Sequence, residues 1–220
     1  MCELSMLKEL GMTRSKMIAG GLYMTFQASM VAIVLYFQLI PYEQMGIQTN
    51  TLLAGLAGGV LCQLPLIALG FTKRGAEAMV GGGEQLAKMA KHAKLHGYVG
   101  AFDAPIAELF WSGIVLSSVI ALLSAFGLPA WSAMLFGLFI GVGLHLCSHV
   151  GPLQFLVGDS WIGFFLTMFS NRVAFLLSGN ILAPILGHFL GSWYGLLMFR
   201  IKGITTPQHE SAIGEPLDDV

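Results

Sequence analysis

Apolar residues run along this chain in blocks separated by short polar stretches, and the blocks extend from Met17 to Ile40, Thr51 to Phe71, about Ala101 to Phe126, about Trp131 to His149, about Trp161 to Leu177, and about Ile181 to Phe199. A helix needs about 20 mostly apolar residues to cross a hydrocarbon core. The pattern therefore predicts about six transmembrane helices. The first block is too long for the apolar core of a signal peptide and leads into no convincing cleavage site, so it is expected to be a retained span. Pro41 closes it, and Pro65 predicts a kink in the second block. The fifth block is interrupted by Asn171 and Arg172, and the preceding GPLQFLVGDS reads as a re-entrant turn, tolerated at membrane depth only where protein buries it.

Residues 72–98 follow another rule. Lys88, Lys91 and Lys94 occupy one face between Glu84 and His96, and Leu86, Met89, Ala90 and Ala93 occupy the other, after a Gly81-Gly82-Gly83 hinge. This is the pattern of an amphipathic helix lying on a lipid surface. The expected organisation is a cytoplasmic N-terminal segment (1–16), two spans (17–71), the interfacial segment (72–98), a four-helix core (99–200) and a disordered polar tail (201–220).

Composition agrees with that pattern. The 220 residues are 55% hydrophobic and 10% charged, against roughly 25% charged in an ordinary soluble domain. The fold class is all-α, a polytopic membrane helical bundle. A net charge of −1 gives no reason to expect nucleic acid as a partner. Cys2, Cys62 and Cys147 lie too far apart for a CxxC site, and no cofactor is expected. With six spans, all but one of the 11 Lys and Arg residues fall on the same side of the membrane as both termini. The positive-inside rule makes that side cytoplasmic.

Candidate chemistry lies within the spans. In the last block Gly187, Gly191 and Gly195 recur every four residues, a stripe where another helix can approach, with His188 and Ser192 on the next stripe. Gly137, Gly141, His145 and His149 repeat that spacing in the fourth block, and Ala104, Glu108 and Ser112 in the third. Ionisable groups are costly inside a bilayer, so they face inward and find partners. The economical expectation is that Glu108, His145 and His188 meet, although His188 reads nearer the outer face than Glu108. Such a trio can activate a water by acid–base chemistry or coordinate a metal. Each also has a structural reading as a polar clamp, and Arg172 is expected to snorkel or to pair with Asp159. Trp111, Trp131, Trp161 and Trp193 read as interfacial belt or packing residues. His92 and His96, flanked by lysines, are a weak metal pair.

The order of these features resembles the CPBP family of CAAX-processing and bacteriocin-immunity membrane proteins, which includes glutamate-type prenyl-protein endopeptidases. PIAELFWSG (105–113) is similar to its EExxxR motif, GVGLH (141–145) to its FxxxH motif, and GNILAPILGH (179–188) to the run that leads into its HxxxN motif. The likeness covers about residues 99 to 197. It implies an intramembrane peptidase in which a glutamate and the histidine of the second motif, here Glu108 and His145, activate water, with His188 and the residue at Ser192 completing the site. The chain departs from the pattern: one glutamate is absent, with Ala107 or Leu109 in its place, the arginine becomes Ser112 or Gly113, the phenylalanine Gly141 and the asparagine Ser192.

Three functions fit. One is a peptidase acting on a membrane peptide, with reduced or altered activity. Another is a non-catalytic relative that binds a membrane peptide or protein for immunity, assembly or scaffolding. The third is a metal- or cofactor-binding subunit using His145, His149 and His188. Membrane lipid is a partner in all three.

Overall fold

The computed structural model describes residues 14–72, 74–75, 77, 102–148 and 161–201, without the side chains at 14, 16–17, 161–162 and 192–201. Every regular element among them is a helix. We number them α1 (Arg14–Phe37), α2 (Leu52–Leu61), α3 (Leu64–Gly70), α4 (Phe102–Ala125), α5 (Ala130–Ser148), α6 (Trp161–Ser178) and α7 (Leu182–Ile201). Four stretches, Ile18–Phe37, Leu52–Gly70, Phe102–Ala125 and Ala130–Ser148, are long and apolar enough to cross a membrane. Gly163–Ser178 and Leu182–Gly191 are shorter apolar helices. The expected amphipathic helix, the re-entrant turn and the polar tail lie outside the described residues, as do His92, His96, His149 and Asp159.

Helix ends follow local chemistry. Gln38, in the left-handed region at φ 51°, stops α1 ahead of Pro41. Pro65 does more than kink the second block, for the helix breaks at Cys62–Gln63 and restarts as α3 with the proline in its first turn. Proline has no N–H to continue the ladder. The Ser170 hydroxyl of α6 donates to the Cys62 carbonyl at that break, and the Gln63 side chain turns into the protein interior.

α4 is not uniform. Its middle, Leu109–Leu116, is wound as a π-helix that starts directly after Glu108. π segments are rare and concentrate at functional sites. Ser117 Oγ donates across the end of this segment to the Gln44 carbonyl (2.7 Å), tying it to the loop after α1.

α7 packs on both α6 and α2, α6 also packs on α2 and α5, and α4 packs on α5 while its π segment receives α1. Small residues set these distances. A Cβ at Gly59 of α2 would lie 2.7 Å from the Ala183 carbonyl oxygen, and one at Gly137 of α5 2.6 Å from an Ile120 carbon on α4. The first apolar core joins Leu116, Phe175 and Ile181, and the second joins Leu138, Val142 and Met168. Between α6 and α7, Asn180 Oδ1 accepts the Leu182 N–H (2.9 Å) while its Nδ2 donates to the Gln48 carbonyl (2.8 Å) and to Thr51 Oγ1 (3.0 Å). This fixes the start of α7, and with it the level at which His188 stands.

Candidate functional site

Glu108 ends the α-helical part of α4 and is only 1% exposed. Its carboxylate takes hydrogen bonds from three helices. Ser112 Oγ donates to Oε2 at 2.6 Å, Asn171 Nδ2 of α6 donates to Oε1 at 3.0 Å, and His188 Nδ1 of α7 lies 3.1 Å from the same oxygen. The Asn171 amide is oriented from behind, because its Oδ1 accepts from Gln63 Nε2 at 2.7 Å. Gln63 thus fixes which end of Asn171 faces the carboxylate. A buried carboxylate is tolerable only when its lone pairs are satisfied in this way.

Gly187 lets this happen. A Cβ there would run into Asn171 Oδ1 and stand 2.9 Å from Gln63 Nε2. The glycine stripe of α7 is therefore the space in which the amide pair sits. The contact between His188 and Glu108 also corrects the expectation that His188 stands nearer the outer face. Asn180 anchors the start of α7, and the two side chains stand level.

His145 has other partners. Its Nδ1 is 2.8 Å from Arg172 Nη2, and Arg172 Nη1 donates to the Met168 carbonyl at 3.1 Å. The imidazole is stacked on Trp111, with ring centroids 4.3 Å apart and planes within 10°, and meets the edge of Phe164. Trp111 Nε1 donates to Tyr23 OH (3.0 Å), which also bonds Ser148 Oγ (3.0 Å), and Ser148 Oγ donates to the His145 carbonyl (2.7 Å). Of the expected trio, Glu108 and His188 are in direct contact, while His145 bonds Arg172 in a neighbouring cluster. The two clusters are joined through α6, whose adjacent residues Asn171 and Arg172 reach Glu108 and His145 respectively.

One expectation needs correction. Arg172 does not snorkel. It is 0% exposed, and its partners among the described residues are His145 and the Met168 carbonyl. Of the two readings of Trp111, packing holds, since it is 6% exposed and fixed by a hydrogen bond and a ring stack. Ser192 lies on α7, but its side chain is outside the described residues. Among the described residues no group of three or more His, Cys, Asp or Glu side chains could hold a metal ion.

Sequence reasoning passed over Asn171, Gln63 and Tyr23. The available signal was an Asn-Arg pair inside an apolar block, where each polar group has to find a partner. α6 brings the two side chains to different clusters, Asn171 to Glu108 and Arg172 to His145. An amide and a guanidinium thus enter the two clusters from α6.

No protein-family profile, curated protein or solved structure matches the chain, so no family is assigned.

Proposed function

We propose that the chain is an intramembrane hydrolase of the CPBP type, acting on a peptide within the membrane through the Glu108–His188 pair. In this reading it has six spans, the four long apolar helices together with α6 and α7, and both termini are cytoplasmic. The observation that carries the reading is the 3.1 Å contact between Glu108 Oε1 and His188 Nδ1. A carboxylate held by other donors accepts the Nδ1–H, which leaves the lone pair on Nε2 and makes that nitrogen the base for a water. Glu108 is buried, whereas the His188 side chain is 22% exposed, so the imidazole is the member of the pair open to approach from outside the cluster. Glu108 then orients the ring and stabilises the imidazolium once the proton has moved. This differs from the Glu108–His145 division of labour that the resemblance implies.

The engagement of both Glu108 oxygens by protein donors supports a second reading, a non-catalytic protein of this architecture in which the cluster is a polar clamp and a membrane peptide or protein is bound without cleavage. One experiment separates the two. The purified protein is reconstituted in vesicles with a library of lipidated and unlipidated fluorogenic peptides. Cleavage that is lost in Glu108→Ala and in His188→Ala, both still folded by circular dichroism, supports the hydrolase. Cleavage unchanged in either variant refutes it. A folded wild type that binds peptides and cleaves none identifies the clamp.

A further inference from the structure

The two histidines of the site meet opposite partners at the same ring position. His188 presents Nδ1 to a carboxylate, and His145 presents Nδ1 to a guanidinium. A guanidinium carries only N–H donors and no acceptor. The nitrogen 2.8 Å from Arg172 Nη2 must therefore hold a lone pair, and the ring proton of neutral His145 resides on Nε2. The surroundings leave the ring little choice. His145 is 5% exposed, lies flat on Trp111, is flanked edge-on by Phe164, and has its backbone carbonyl tied to Ser148 Oγ. Arg172 is held as well, because it is buried and its Nη1 donates to the Met168 carbonyl.

We infer that Arg172 is a positioning residue that holds His145 as the Nε2–H tautomer, so that His145 serves the site as a hydrogen-bond donor and not as a proton acceptor. The inference deepens the hydrolase reading and rests on it only for the use made of the donor. In that reading the two rings differ in kind: His145, with Nδ1 facing a guanidinium, carries its proton on Nε2, whereas His188, with Nδ1 facing a carboxylate, carries its lone pair there. A mere packing role for Arg172 would leave the tautomer of His145 unconstrained.

The test is nitrogen NMR of the full-length protein in lipid nanodiscs with 15N-labelled histidine, at neutral pH. The chain has six histidines, and the His145 signals are those lost in His145→Gln. The expected wild-type spectrum shows His145 with a protonated Nε2 and an unprotonated Nδ1. Arg172→Lys, which still donates, keeps that pattern. Arg172→Met, which cannot donate, gives both tautomers. Protonation of His145 at Nδ1 in the wild type overturns the inference, and so does an unchanged His145 spectrum in Arg172→Met. The wild-type spectrum decides by itself if Arg172→Met does not fold. None of these readings depends on turnover, so an absence of peptide cleavage refutes the hydrolase and leaves the tautomer assignment intact.

Discussion

Replacing Gly187 with alanine isolates the amide pair that supports Glu108. The new methyl would run into Asn171 Oδ1, and it would stand 2.9 Å from Gln63 Nε2. Both are ends of flexible side chains, so α7 need not move, but Asn171 must. Its amide makes two hydrogen bonds, from Gln63 at 2.7 Å and to Glu108 at 3.0 Å. At about 0.5 to 1.5 kcal/mol for the amide–amide bond and about 1.5 to 3 kcal/mol for the bond to the carboxylate, their loss costs about 2 to 4.5 kcal/mol. Glycine to alanine in a helix also carries a backbone gain of roughly 0.4 to 1 kcal/mol. Gly143→Ala on α5 supplies that term alone, because a Cβ there meets nothing within 4 Å. The backbone contribution cancels between the two variants, so Gly187→Ala should be less stable than Gly143→Ala by about 2 to 4.5 kcal/mol. Reversible unfolding in mixed micelles measures the difference. A double-mutant cycle sharpens it, because with Asn171→Ala in place the penalty at Gly187 should vanish. A Gly187→Ala protein as stable as Gly143→Ala, or a penalty that persists without Asn171, would refute the reasoning.

Gly59→Ala should cost more than side-chain adjustment can absorb, because the obstacle is the Ala183 backbone oxygen at 2.7 Å. About 1 to 3 kcal/mol of overpacking is expected, read as a lower Tm in detergent. Asn180→Ala removes the acceptor for the Leu182 N–H and should destabilise by about 0.5 to 2 kcal/mol, with the earliest hydrogen exchange at the start of α7. Trp111→Phe keeps a ring against His145 but loses the donor to Tyr23 OH, at a cost of about 0.5 to 1.5 kcal/mol by the same micelle assay; adding Tyr23→Phe should then cost little more at that bond.

The positions of the helices were legible because apolar blocks of membrane length are hard to mistake, and the ends of the blocks agree with the helix ends at Phe37, Gly70, Ala125 and Ser148 to within a few residues. Glu108 and His188 were legible for a related reason, since an ionisable group beside small residues has to face another helix. The identity of its partner was not. Spacing by four placed His145 on the inner face of α5, and nothing along the chain said that its Nδ1 would meet Arg172 on α6 and not Glu108 on α4. Arg172 itself read as a residue that could reach the headgroups, because a one-dimensional pattern does not show how deep a long side chain points. Gln63 became visible only through the break at Cys62–Gln63, which turns a polar residue in an apolar run toward the protein interior. The π winding of Leu109–Leu116 has no composition that announces it.

That winding has a consequence for how α4 serves two neighbours at once. A stretch of wide turns advances less around the axis per residue than an α-helix, so it works as a built-in twist between the half that carries Glu108 and the half that carries Leu116 and Ile120. Rewound as an α-helix with every residue kept, Leu109–Leu116 would advance farther around the axis, and one half would rotate against the other. Either the acid would leave its amide and imidazole, or Ile120 would leave the notch at Gly137. The uncommon winding is the form in which both grips close together.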